Sequence, residues 1–237
     1  MKNRVWELDA ARGLALLGML IIHFVYDLVD LWGVFSWQEP AWYLFIKNNC
    51  GFVFLVISGI SATLGSGRLG RGGLVFACGL LCTAVTAGMY LLGLADESII
   101  IWFGALHCLG VCMVLWHWLR RLPSWSLALL GITLTAAGLV LARLYLDTHW
   151  ALIPLGVCPV WFQSSDYFPL MPNLGFFLLG TVLGRAVYRE KKTRLPGVSP
   201  DCPPIRLLRA MGRHSLLIYL LHQPVLAGVT MVINWMI

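Results

Sequence analysis

The sequence is short of charge. Only 12% of its 237 residues are Asp, Glu, Lys or Arg, about half the fraction usual in a soluble domain. With 59% hydrophobic residues and a mean hydropathy of +0.80, a water-soluble globular fold is excluded. Acidic residues are the scarcest, 11 against 17 basic, yet no basic stretch is interleaved with aromatics as a nucleic-acid platform would be. Nucleic acid is therefore not an expected partner. The seven cysteines do not spell a disulfide framework. Cys78 with Cys82 and Cys108 with Cys112 recur four apart inside apolar runs, where a small polarisable side chain packs well. Cys50 and Cys158 both fall near the expected outer face, where an oxidising compartment would permit a bridge. Tight metal-ligand spacings are missing, so no metal is expected.

What the sequence has instead is apolar length. Runs at 12–32, 43–64, 72–94, 99–118, 125–146, 170–188 and 213–233 each suffice to cross a bilayer core, which takes about 20 residues. The expected fold is all-α: a polytopic membrane protein, a bundle of about seven transmembrane helices forming one domain over 1–237. The start MKNR is basic, but Glu7 and Asp9 interrupt it and no small-residue cleavage site follows, so it reads as a retained first span rather than a signal peptide. Fifteen of the Lys and Arg residues fall on one side if the N-terminus is cytoplasmic, leaving only Lys47 and Arg143 outside. The opposite face collects Asp27, Asp30, Glu39, Asp96, Glu97, Asp147 and Asp166. An N-terminus inside and a C-terminus outside satisfy this asymmetry.

The chemistry concentrates in Asp9–Asp30. At 100° per residue, Asp9, Arg12, Met19, His23, Tyr26, Asp27 and Asp30 share one narrow face, while leucines, isoleucines and valines cover the rest. Each ionisable group in hydrocarbon costs at least a few kcal/mol unless paired or wetted. That seam should face a protein interior or a water-filled cavity.

Two further histidines lie at matching expected depth. His107 is about 12 Å below Ile99, His23 about 16 Å above Arg12, and His222 about 14 Å above Arg213, on a 1.5 Å rise. A histidine on an apolar helix is usually a packing residue; three at one level, with Asp27 a turn from His23, suggest a site. Gln223-Pro224 beside His222 adds an expected kink, because proline removes a backbone donor.

The connectors add candidates. The glycine-rich turn Gly65–Gly73 offers Arg68 and Arg71 to an anion, either as a phosphate cradle or as positive-inside anchors. Trp32, Trp37, Trp42 and Tyr43 read as an interfacial aromatic belt, with sugar stacking the other reading. Asp166, Tyr167 and Asn173 gather before the sixth span, either meeting a hydrophilic acceptor or capping that helix. The basic loop 189–209 reads as irregular.

Four motifs together carry a resemblance: Asp9-x-x-Arg12-Gly13 with His23 ten residues further on, FGALHCLG at 103–110, DYFPLMPNLG at 166–175 and GRHSLLIYLLHQPV at 212–225. They resemble the catalytic domain family of heparan-α-glucosaminide N-acetyltransferase and its small bacterial relatives. The first is also similar to the opening helix of the wider transmembrane acyltransferase class that O-acetylates cell-surface sugars. The resemblance covers essentially the whole chain. It implies transfer of an acyl group, commonly acetyl from cytoplasmic acetyl-CoA, to an amine or hydroxyl of a saccharide across a membrane, here a bacterial plasma membrane. Arg12 and His23 take the places of the motif residues that such enzymes need.

The residues support the same chemistry. Acyl transfer from a thioester needs a base to take the acceptor's proton and a group to orient that base. The expected catalytic set is His23 as base, Asp27 as its orienter, and His107 or His222 for the oxyanion or a proton relay. Asp9, Arg12, Arg68, Arg71 and Arg213 are expected at the donor, the planar Arg fork suiting phosphate. Tyr26, Asp166, Tyr167 and Asn173 are expected at the acceptor. A haem-binding cytochrome and a proton-coupled transporter are the alternative readings of the same histidines. Oligomeric state is open, a homo-oligomer included.

Overall fold

The computed structural model describes residues 5–143 and 150–236. Lys2, Arg4, Asp147 and the end of the span expected over 125–146 lie outside the described residues. Within them the chain forms α-helices and no strand: α1 (Trp6–Tyr26), α2 (Ala41–Leu64), α3 (Leu69–Leu91), α4 (Ala105–Leu119), α5 (Ser124–Leu141), α6 (Leu170–Val187), α7 (Pro203–Arg213) and α8 (Ser215–Met236). A π-helical turn, Asp27–Leu31, continues α1. Counted with that turn, α1 joins α2, α3, α5, α6 and α8 as six helices long and apolar enough to cross a membrane; α4 is apolar but shorter. The protein is an all-α polytopic membrane protein.

Its contacts group into two compact units, Met1–Ile57 with Glu190–Ile237, and Ser58–Arg189. In the first, α1 is flanked by α7 and α8. The loop expected to be irregular over 189–209 ends in α7, because Pro203 and Pro204 occupy its first positions, where the missing N–H costs nothing and φ is already helical. Ile205, Leu208 and Met211 then recur at helical spacing. The backbones of α1 and α7 approach closely at two glycines: a Cβ on Gly13 would strike the Leu208 carbonyl, and one on Gly212 the Asp9 carbonyl. Small residues permit such approach where no hydrophobic drive separates helix from lipid. Glu7 pins the preceding loop, accepting from the Thr193 hydroxyl at 2.9 Å and the Arg194 N–H at 2.7 Å. At the far end of α1, the Trp32 indole donates to Thr230 of α8 at 2.9 Å. α2 is tied on by the Cys50 thiol, which donates to the Ala15 carbonyl, and by the Tyr43 hydroxyl, which donates to that of Ile22.

The second unit pairs α3 with α4 and α5 with α6. The fourth expected span, 99–118, is helical only from Ala105. Residues before it spend their backbone groups elsewhere: Ser165 and Ser164 donate to the Ile99 and Ile100 carbonyls at 2.7 and 2.8 Å, and the Phe168 N–H to that of Phe103 at 2.9 Å. Irregular backbone is tolerated in an apolar setting when protein groups satisfy it in this way. At the opposite end of α3, Arg120 donates to the Ser66 carbonyl at 2.8 Å and His117 Nδ1 to that of Gly67 at 3.0 Å. The α2–α3 and α4–α5 connectors, with their arginines, therefore share one end of this unit, while Asp96, Glu97 and Asp166 lie toward the other.

Packing at Gly13 makes a direct prediction. Gly13→Val should lower the thermal transition of the purified protein, since overpacking of this kind costs about 1–3 kcal/mol. Gly228→Ala in α8, where nothing lies within 4 Å, should leave it unchanged or raise it slightly.

Candidate active site

The polar seam of α1 begins at Asp9, which is 8% exposed and sits between two guanidiniums. Arg12 Nη1 approaches Asp9 Oδ1 at 3.8 Å and Arg213 Nε approaches Oδ2 at 3.7 Å. The close α1–α7 approach at Gly212 delivers Arg213 to this point. One carboxylate thus orients two cations, and the cluster keeps a net positive charge suited to phosphate.

Eleven residues beyond Arg12, about 16 Å on a helical rise, the His23 ring meets that of His222 edge to face. Their centroids are 4.7 Å apart with planes at 61°. His222 Nδ1 lies 2.5 Å from the Tyr219 carbonyl. A carbonyl only accepts, so Nδ1 carries the hydrogen and Nε2 presents its lone pair. The Tyr219 ring lies 5.4 Å from the same imidazole.

The next turn of α1 places Asp27, fully buried, beside α8. Gln223 Nε2 donates to Asp27 Oδ1 at 2.8 Å; Asp27 Oδ2 and Gln223 Oε1 have no hydrogen-bond partner among the described residues. The expectation that Asp27 orients His23 meets a different arrangement, in which the carboxylate binds the amide across the helix pair. Gln223 was not among the expected site residues; its signal was a second polar group directly after His222 in an apolar helix. Tyr26, at the edge of the polar face, is 48% exposed.

The other expected residues, Arg68 and Arg71 included, belong to the second unit, where His107, Asp166, Tyr167 and Asn173 are each engaged by bonds to the fold. His107 is in the first turn of α4, since the chain above it is not helical, and the depth inferred from Ile99 does not apply. Its Nδ1 accepts from the Gly104 N–H at 3.2 Å, so Nε2 carries the hydrogen and faces Thr83 Oγ1 at 3.4 Å. Phe103 stacks on the ring and Phe76 meets it edge-on. Asp166 Oδ2 accepts from the Ala105 N–H at 3.0 Å, capping α4 rather than the sixth span. The Tyr167 hydroxyl donates to the Ile153 carbonyl at 2.6 Å and accepts from the Cys158 thiol at 3.0 Å; burial, then that thiol, raises its pKa. Asn173 donates to the Pro169 carbonyl at 2.8 Å. Arg68 and Arg71 are exposed at the start of α3. Cys50 and Cys158 are both free thiols. Among the described residues, no three His, Cys, Asp or Glu side chains form a group able to hold a metal ion.

A family model described as heparan-alpha-glucosaminide N-acetyltransferase, catalytic, matches residues 4–224. No curated protein and no solved structure matches the chain.

The bonds of His107 assign it to holding the start of α4. His107→Ala should destabilise the protein by about 1–3 kcal/mol, the cost of leaving buried polar partners unmet. His107→Gln, whose amide can accept from the Gly104 N–H, should recover part of the loss in a thermal-shift measurement.

Proposed function

The chain belongs to the heparan-alpha-glucosaminide N-acetyltransferase catalytic family, and from that premise we propose that it moves an acetyl group from cytoplasmic acetyl-CoA to an amine or hydroxyl of a saccharide on the opposite side of the membrane. The observation that carries the reading is the His23–His222 pair, seated between two apolar helices and backed one turn further by Asp27 and Gln223. The family is one of transmembrane acetyltransferases; acetyl-CoA and the saccharide come to this chain from the family's description and from the chemistry of the seam.

In the proposed reaction the acceptor nitrogen or oxygen attacks the thioester carbonyl. The imidazole pair takes its proton, the carbon–sulfur bond breaks, and the proton passes to the departing CoA thiolate. The products are the acetylated acceptor and free CoA. His23 is the base, and His222, its Nδ1–H held by the Tyr219 carbonyl, offers Nε2 as the next proton station. Asp27 Oδ2 is a buried acceptor suited to a donor on the incoming amine or hydroxyl, and Gln223 holds that carboxylate in place. Arg12 and Arg213, oriented by Asp9, take the phosphates of the donor. The distance from Arg12 to His23, about 16 Å of helix, is the reach asked of the pantetheine arm.

The membrane orientation follows the charge asymmetry: N-terminus and donor site on the cytoplasmic face, C-terminus outside, with α4 completing an odd number of crossings in a bacterial plasma membrane.

Release of CoA thiol by the purified protein, supplied with acetyl-CoA and glucosamine, tests the proposal. His23→Ala and His222→Ala should each lower kcat about a hundredfold or more with an unchanged thermal transition. Arg213→Ala should raise the acetyl-CoA KM and leave kcat nearly as it was. Near-normal turnover in His23→Ala removes the pair from the mechanism.

A further inference from the structure

The last turn of the first span leaves α geometry. Over Asp27–Leu31 the helix widens to the π form: the Trp32 N–H reaches back to the Asp27 carbonyl at 2.9 Å, and the Val34 N–H to that of Leu28 at 2.9 Å. Gly33, at φ +61°, then turns the chain out of the helix, a conformation that glycine adopts without steric cost. Single π turns are rare and concentrate at functional sites. This one begins at Asp27, one turn beyond His23.

Its consequence is a change of face. In an α-helix the fifth residue along stands about 140° round from the first, so an α-helical continuation would direct Trp32 away from whatever Asp27 meets. An i→i+5 bond instead stacks residue 32 over residue 27, as the fourth residue stacks in an α-helix. Both side chains accordingly meet α8: Asp27 accepts from Gln223 at 2.8 Å, and the Trp32 indole donates to Thr230 at 2.9 Å. Gln223 and Thr230 lie within about 20° of one another on the α8 wheel, so one stripe of α8 receives both. The positions that α geometry would bring to the Asp27 face are turned out: Asp30 is exposed and Leu31 is 50% exposed.

We propose that Trp32 and Thr230 are positioning residues, their bond locking the π turn and thereby holding the Asp27 carboxylate against Gln223; this rests on the place given to Asp27 in the transfer chemistry. Thr230 is built to receive the indole. It is fully buried, and its hydroxyl hydrogen is spent on the Leu226 carbonyl at 2.9 Å, which leaves a lone pair for the indole N–H, a group that only donates. Released from that bond, the end of α1 relaxes toward α geometry, in which Trp32 and Asp27 no longer share α8.

Two plainer roles fit less well. A tie meant only to hold α1 to α8 needs no π turn, because an α-helix already offers the third and fourth residues after Asp27 on the same face. An interfacial anchor would present its N–H to lipid headgroups; Trp32 spends it on Thr230.

Hydrogen–deuterium exchange over 27–34 and turnover, measured on the same purified variants, test the lock. Trp32→Phe keeps the aromatic ring and removes the donor; Thr230→Val keeps the shape and removes the acceptor. Each should raise amide exchange over the segment about tenfold. Each should also lower kcat for CoA release, with acetyl-CoA and glucosamine supplied, about tenfold, leaving the acetyl-CoA KM unchanged. Thr230→Ser, which keeps the hydroxyl, should match the unaltered protein in both measurements. In an Asp27→Asn background, Trp32→Phe should cost little further turnover, the non-additivity expected of residues that act through one another. Unchanged exchange in Trp32→Phe, or a turnover loss as large without the Asp27 carboxylate as with it, overturns the lock. Near-normal turnover in Asp27→Asn, with exchange raised in Trp32→Phe and Thr230→Val, would support the lock and count against Asp27 in the transfer chemistry alone.

Discussion

An ionisable side chain on an apolar helix must find its partner on another helix, and the first unit is built around that requirement. α1 carries a carboxylate near one end, an imidazole in the middle and a second carboxylate near the other. α7 supplies Arg213 to the first, and α8 supplies His222 and Gln223 to the other two. Without these matches each group would cost at least a few kcal/mol in hydrocarbon, and the helix would be selected against as a span. The close backbone approach at Gly13 and Gly212 is what brings α7 near enough to serve.

The matches are incomplete in a way that bears on chemistry. Asp27 Oδ2 and Gln223 Oε1 are buried acceptors with no hydrogen-bond donor among the described residues. A purely structural network would close such groups on one another. Here the surplus is of acceptors, which suits the proposed transfer of a proton from an incoming amine or hydroxyl. The second unit shows the contrast: His107, Asp166, Tyr167 and Asn173 are each engaged by backbone or hydroxyl groups, and they shape non-helical segments rather than present reactive atoms.

The all-α membrane class was legible from hydropathy, and so was one expected level of imidazoles at His23, His107 and His222; that His222 rather than His107 meets His23 was not. The start of α7 was also readable in Pro203-Pro204, though the run of charge around it pointed to a loop. Two further features were not legible. The helix α4 begins six residues later than its apolar run, because Asp166, sixty-one positions away, caps Ala105; such a cap belongs to tertiary structure. The partner of Asp27 is likewise a matter of which side chain lies across the helix pair, and spacing along α1 alone favours His23. Periodicity fixes the face that a residue shares, and only packing decides what that face meets.

The central claim is that the reaction centre lies at the His23–His222 pair and is reached from the Asp9–Arg12–Arg213 end of α1. A cryo-electron microscopy structure with a non-reactive thioether analogue of acetyl-CoA tests it most directly. The account predicts phosphate density against Arg12 and Arg213, with the acyl end beside the two imidazoles. An analogue bound with its acyl end elsewhere, or an imidazole pair sealed by packed side chains, would contradict it.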